Sequence, residues 1–439
     1  MLRLPSGGGL MRTDAANGAT RGQDAPERGV VPRALSGPGG TLPLGALLCV
    51  QAAGALVWGG WAAGSWGVVA LAALPVGLLV LAGVAWRRGE PLPAWAASWL
   101  ALRRQRRQAA RAPGSGGDPL FALAEECRPG LETFAFAARG GRDGRERREV
   151  GMAAAGGTLT AVLRVEATHA PLQPGRAARP LPLSLLYDAL HTDGIRLDAV
   201  QTVQYTQPAP TPVLPDRSVA GTSYALVQGQ EDAPALRLTW VALRLDPELC
   251  PGAVAERGGG LVGAQRCLTR AADQLASRLA GAGFAATVLS EAELLSAVAA
   301  CASSSPAATA LVGQGDGPRA RRTEEGQRVW RCDDRWHTTF QVTRWPVLGP
   351  GATPLPGLVA LLTSLPAFAT TFALTLRGQG RQSAVLSGHV RITGRAESEV
   401  QAAARELLRA ARGARLVLAR MDRRQLPGVQ ATLPLGGAR

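Results

Sequence analysis

The sequence predicts a two-helix transmembrane hairpin followed by an α+β cytoplasmic domain of two β-α-β-β-α-β halves, the ferredoxin-like order. Three observations predict it. Two runs, Leu42–Trp61 and Trp66–Trp86, contain no charged residue, and as helices each is about 30 Å long, the thickness of a hydrocarbon core. Arginines flank the runs, whereas the connection between them has none. Beyond residue 118, segments of period two and period 3.6 recur twice in one order.

The hairpin comes first. Residues 1–40 are rich in Gly, Ser, Pro, Arg and Asp without periodicity and read as a disordered cytoplasmic tail. Residues 41–88 form the hairpin, with helices over about 42–61 and 66–86. Trp58, Trp61 and Trp66 gather at the connection and Trp86 at the opposite interface, where amphipathic rings settle at headgroup level. Arg87, Arg88, Arg103 and Arg104 follow. The positive-inside rule then places both termini in the cytoplasm and the chain in the inner membrane as a two-helix protein. Pro75 is tolerable inside such a helix, and Ala55 with Gly59 and Ala73 with Gly77 allow close helix packing. A cleaved signal peptide fits less well, because the polar lead is long and contains Asp14, Asp24 and Glu27. Two buried helices of a soluble protein are the other alternative.

Residues 89–118 read as a basic juxtamembrane helix and hinge. Trp95, Trp99 and Leu102 are spaced i, i+4, i+7, which suits either an interfacial helix on anionic lipid headgroups or an extension of the second span. The first α+β half covers 119–305. It has strands at 158–166, 195–206, 236–248 and 284–290, and helices at 181–194, 258–283 and 291–301. The second half covers 329–439, with strands at 337–346, 368–378, 382–394 and 415–422 and helices at 355–366 and 397–414. Segment 306–328 is the linker, and 139–149 is a mixed-charge loop. The two halves either cover separate sheets or merge into one longer sheet.

The 439 residues carry a formal net charge of +15, and none of the 48 basic residues is lysine. Six of the ten tryptophans lie between positions 58 and 99, which favours a lipid surface over nucleic acid as the partner of that charge. The six cysteines form no C-x-x-C pair, so no zinc knuckle or thioredoxin motif is written and the thiols read as reduced.

Candidate chemistry is sparse. Arg257, Gly258, Gly259 and Gly260 open a long helix, and exposed N–H groups there could hold an anion. No G-x-x-x-x-G-K-[ST] accompanies them, so the competing reading is a turn that lets elements pack closely. Asp333 and Asp334 are adjacent acids flanked by arginines, and neighbours on a strand point to opposite faces. Asp188 and His191 are three apart, a spacing that can hold a metal, but they lack a second His at helical spacing or a Glu between, so the competing reading is a surface pair. No catalytic residue, metal site or cofactor site is assigned. His169, His337 and His389 are scattered, and no G-x-S-x-G elbow is present.

One long stretch, "WVALRLDPELCPGAVAERGGGLVGAQRCLTRAADQLASRLAGAGF" (240–284), together with "GMAAAGGTLTAVLRVE" (151–166), "LPLSLLYDAL" (181–190), "LDAVQTVQ" (197–204), "TTFQVTRWP" (338–346) and "VQATLPLGG" (429–437), resembles the EccE family. EccE is a core membrane component of the actinobacterial type VII secretion apparatus. The resemblance spans most of residues 60–437 and rests on structural motifs in order. It implies a non-enzymatic subunit whose partners are EccB, the ATPase EccC and EccD, in a system to which a mycosin protease also belongs. The alternative is a membrane-anchored enzyme taking a phosphorylated or nucleotide-sugar ligand at Gly258–Gly260.

Overall fold

The computed structural model describes residues 118–140, 146–167, 180–208, 236–314, 321–348, 353–379 and 383–438, with short pieces at 51, 58, 86–87, 90–91, 98–104 and 106–107. Twelve strands form one antiparallel sheet. They are β1 (Glu132–Gly140), β2 (Glu146–Ala155), β3 (Thr158–Ala167), β4 (Ala199–Gln207), β5 (Leu236–Leu245) and β6 (Phe284–Val288), then β7 (Thr323–Glu325), β8 (Trp330–Cys332), β9 (Arg335–Arg344), β10 (Ala369–Gln379), β11 (Ser383–Gly394) and β12 (Val417–Arg420). The helices are α1 (Pro119–Cys127), α2 (Leu183–Asp188), α3 (Pro251–Glu256), α4 (Gly260–Gly281), α5 (Glu291–Cys301), α6 (Pro306–Gln314), α7 (Leu355–Thr363), α8 (Glu397–Gly413) and α9 (Gln425–Thr432).

The strand order is β7-β8-β9-β11-β10-β4-β5-β3-β2-β1, with β6 also beside β3 and β12 also beside β9. This order mirrors itself about the central β4–β10 pair. β3 pairs with β2 through Thr158–Ala161 and with β6 through Leu163–Ala167. β9 forks in the same way between β8 and β12. At the seam, β4 and β10 align from Ala199↔Arg377 to Thr206↔Thr370.

The expected fold is corrected on two counts. No helix among the described residues is long and apolar enough to cross a membrane. In addition, the described chain is a single large sheet, not a two-helix hairpin followed by two ferredoxin-like halves. The predicted spans 42–61 and 66–86 lie almost wholly outside the described residues. Where that stretch is described at its end, Trp86–Arg87 pairs with Glu90–Pro91 as a short antiparallel ribbon, so the chain at Trp86 is extended. The expected inner-membrane localisation is corrected as well, since it rested on membrane-spanning helices and no helix among the described residues is long and apolar enough to cross a membrane. The sheet is continuous because β4 and β10 have no residue that would block an edge. β4 carries Ala, Val and Thr, and β10 carries Ala, Thr and Phe, where exposed lysine or proline would prevent pairing.

Helices cover both faces. On one, α2, α4, α7 and α8 lie over Val200, Leu243, Phe372, Leu374 and Val390. α8 shows why it sits there: Val400, Ala403, Ala404, Leu407 and Ala411 are buried at helical spacing. On the other, α1, α5 and α9 cover Val203, Trp240, Ala373 and Trp330. A capping box starts α5, since Ser290 N–H donates to Glu293 at 2.9 Å and the Ser290 hydroxyl accepts from the Glu293 amide. A side chain at Gly151 would lie 2.4 Å from the Ser290 carbonyl carbon, so glycine is what lets α5 approach β2.

Several boundaries differ from the sequence reading. The helix expected over 181–194 stops at Asp188, and His191–Thr192 turns back onto Ile195–Arg196 around Asp193 and Gly194, both at positive φ. The segment expected as a linker contains α6 and β7. The mixed-charge stretch 139–149 contains the ends of the β1–β2 hairpin.

Candidate functional site

The glycine run opens α4 as expected, and its geometry is a tight reversal. Gly258, Gly259 and Gly260 have φ of +107°, +69° and +55°, values that L side chains avoid. Gly259 N–H donates to the Val254 carbonyl at 2.9 Å, folding α3 back on α4. A side chain at Gly263 would meet that carbonyl at 2.3 Å. The nearby arginines are engaged with backbone. Arg257 donates to the carbonyls of Ala253 at 2.9 Å and Asp193 at 3.3 Å. Arg266 donates to the Arg257 carbonyl at 2.9 Å and fills the space beside Gly258.

The remaining candidates separate. Asp333 and Asp334 form the turn between β8 and β9. Asp333, at φ +50°, is nearly buried and accepts from Arg322 Nε at 2.9 Å, Arg322 Nη2 at 2.7 Å and the Ser305 amide at 2.8 Å. This bidentate pair ties β7 and α6 to the turn. Asp334 pairs with Arg335 on the surface at 2.7 Å. Asp188 ends α2 whereas His191 lies in the ribbon beyond, so they do not share a helical face. Among the described residues no three metal-capable side chains converge.

Of the predicted interface anchors, Trp58 is helical and exposed, and Trp86 and Arg87 lie in the short ribbon. Trp61, Trp66 and Arg88 lie outside the described residues. Arg103 and Arg104 are exposed on a helical piece, with the Arg103 guanidinium 5.4 Å from the Trp99 ring centroid. The opposite face of that piece docks on the sheet: Leu102 is buried, Arg106 donates to the Glu325 carbonyl at 2.7 Å and Arg423 donates to Ser98 at 3.0 Å. Burial raises the Glu325 carboxyl pKa, opposed by bonds from the amides of Leu426 and Gln425 at the start of α9.

Sequence reasoning missed two side chains that the structure makes central, Arg244 on β5 and Arg391 on β11. Both are fully buried on the α5/α9 face. Arg244 Nε donates to Asp198 at 2.6 Å and its Nη1 to the Gly437 carbonyl at 2.8 Å. Arg391 donates to the Cys301 carbonyl, at the last residue of α5, and to Thr371 Oγ1 at 3.4 Å. Its charge thus faces the negative end of a helix. A signal existed: each arginine interrupts an apolar strand, "ALRL" and "HVRI".

His337 and His389 are buried neutral. His337 Nδ1 lies 3.0 Å from Thr393 Oγ1, and burial drives its pKa well down, helped by Arg391 and Arg335. For His389, burial and then Arg377 bring the pKa down to about 4. Cys127 and Cys301 are pushed up to about 12 by burial.

The geometry therefore defines a class first: an α+β body whose buried polar groups tie strands to helices. Residues 233–342, from β5 into β9, match the EccE family, described as "Putative type VII ESX secretion system translocon, EccE". Over those residues the match bears out the resemblance read from the sequence. No curated protein matches the chain.

Proposed function

We propose that the chain is a non-enzymatic structural subunit of a type VII secretion translocon, and that its covered sheet docks on EccB, the ATPase EccC and EccD. The family match over residues 233–342 carries this reading. The use of the chemically versatile side chains supports it. Asp333, Arg244, Arg391 and His337 are enclosed and hold elements together. Arg257 and Arg266 at the glycine turn serve backbone carbonyls. A tagged full-length chain recovered from its host in mild detergent should bring a secretion ATPase and its companions with it. Recovery of that assembly intact without this chain would overturn the proposal. The alternative ligand at Gly258–Gly260 has its own test: phosphate, nucleotides and sugar nucleotides should leave the melting temperature unchanged.

A further inference from the structure

We infer that the face of the sheet beneath α5 and α9 contains a peptide-binding groove, built jointly by the two halves and occupied by the chain's own segment Leu433–Ala438. The segment crosses the β4–β10 seam. The groove reads its backbone with side chains from four strands. Gln201 on β4, fully buried, accepts from the Gly436 amide at 2.9 Å, while its side-chain amide donates to the carbonyl of Ala431 in α9, just ahead of the segment, at 2.8 Å. Thr160 on β3 donates to the Leu435 carbonyl at 3.5 Å, and Arg244 on β5 donates to the Gly437 carbonyl at 2.8 Å. From the other half, Arg377 on β10 donates to the Ala438 carbonyl.

The segment's side chains supply the rest of the recognition. Leu433 and Leu435 are buried as apolar anchors. Gly436 and Gly437 have φ of +80° and +79°, and a side chain on them would lie 2.8 Å from Arg244 Cβ and 2.9 Å from Thr375 Oγ1 respectively. Backbone bonds that give affinity and pockets that give selectivity are how peptide segments are bound. The ligand class is therefore a turn-forming Leu-x-Leu-Gly-Gly segment, in which the Leu435 amide donates to the Leu433 carbonyl at 2.8 Å. Because the donors come from both halves, seating it clasps the seam.

The test uses the full chain with Gly437→Val, which cannot seat the segment, and a fluorescein-labelled peptide of residues 428–438. In the wild type the segment competes in cis at millimolar effective concentration. Peptide binding to the folded variant should therefore be about a hundredfold tighter than to the wild type, and a Gly437→Val peptide should not bind. Equal, weak binding to both chains would overturn the inference. Should Gly437→Val fail to fold, Gln201→Ala removes only the two bonds from Gln201. Amides of β4, β10 and Gly436 should then exchange with solvent faster together while β1 and β2 keep their wild-type rates. Unchanged exchange at the seam would overturn the inference.

Discussion

Arg244 and Arg391 occupy corresponding strands of the two halves, the third of the four in each repeated unit, and both are fully buried. Arg244 meets a carboxylate, Asp198, at 2.6 Å. Arg391 meets no carboxylate among the described residues; its partners are a helix-end carbonyl and a threonine hydroxyl. Burial lowers the Arg391 pKa, with the surrounding cysteines and Tyr205 opposing. A guanidinium nonetheless stays charged in proteins, so one fold has solved a single cost twice: once with an ion pair and once with a helix dipole. The difference teaches that the first half depends on a particular acid. The second depends on the position of α5, an element that belongs to the first half.

The largest effect should come from breaking the ion pair on one side. Asp198→Ala leaves the Arg244 charge buried without its acid and should cost about 3–5 kcal/mol, measured by urea unfolding. Asp198→Asn, which keeps an acceptor, should cost clearly less. At Arg391 the comparison sharpens. Arg391→Ala should cost about 2–4 kcal/mol through the cavity and the unsatisfied Cys301 carbonyl. Arg391→Met also frees the Cys301 carbonyl but fills the space and removes a charge that has no acid, so it should cost less than Arg391→Ala by about the cavity contribution. Equal losses for the two Arg391 variants would mean that the charge itself holds α5.

A smaller effect concerns pH. His389 sits two residues from Arg391 on β11 with its folded pKa lowered to about 4. Below the ordinary histidine value near 6.5 the unfolded chain takes up a proton that the folded chain refuses. Stability is therefore fully present above that value and is lost as pH falls toward about 4. The slope from His389 alone should be at most about 1.4 kcal/mol per pH unit, and His337 adds to it in the same direction. Denaturant midpoints across this range should show the slope, and His389→Gln should flatten it. The smallest energetic demand is on the thiols. Cys127 and Cys301, pushed up to about 12, should resist a thiol reagent at neutral pH in the native chain and react fully in denaturant. Rapid native labelling of Cys301 would show that the Arg391 site opens.

How much of this was legible varied with the kind of residue. Strands such as "LRLTWVALRL" and "ATTFALTLRG" and helices such as 397–413 announce themselves by period, and their order along the chain was readable. The short strands "TEE" and "WRC" and the helix "QLPGVQAT" were not. Polar residues, Pro427 and Gly428 hide their pattern, and tertiary pairing makes them. The merger of the strands into one sheet was invisible for a related reason: an unprotected edge says that pairing is possible, not with what. The apolar runs before residue 86 were read from their length, their lack of charge and their flanking tryptophans and arginines, whereas the extended pairing of Trp86 with Pro91 carries no such signal in the sequence. At the candidate site, the glycines at 258–260 mark a helix start in the sequence, but Arg266 filling the space beside them depends on helix phase across nine residues.

The central claim is that β4 and β10 join the two repeated units into one sheet. Native-state hydrogen exchange under low denaturant tests it most directly. The account predicts that the slowest amides of β4, β5, β10 and β11 open together with one free energy. Two separate opening energies, one for residues 119–305 and another for 329–438, would contradict it.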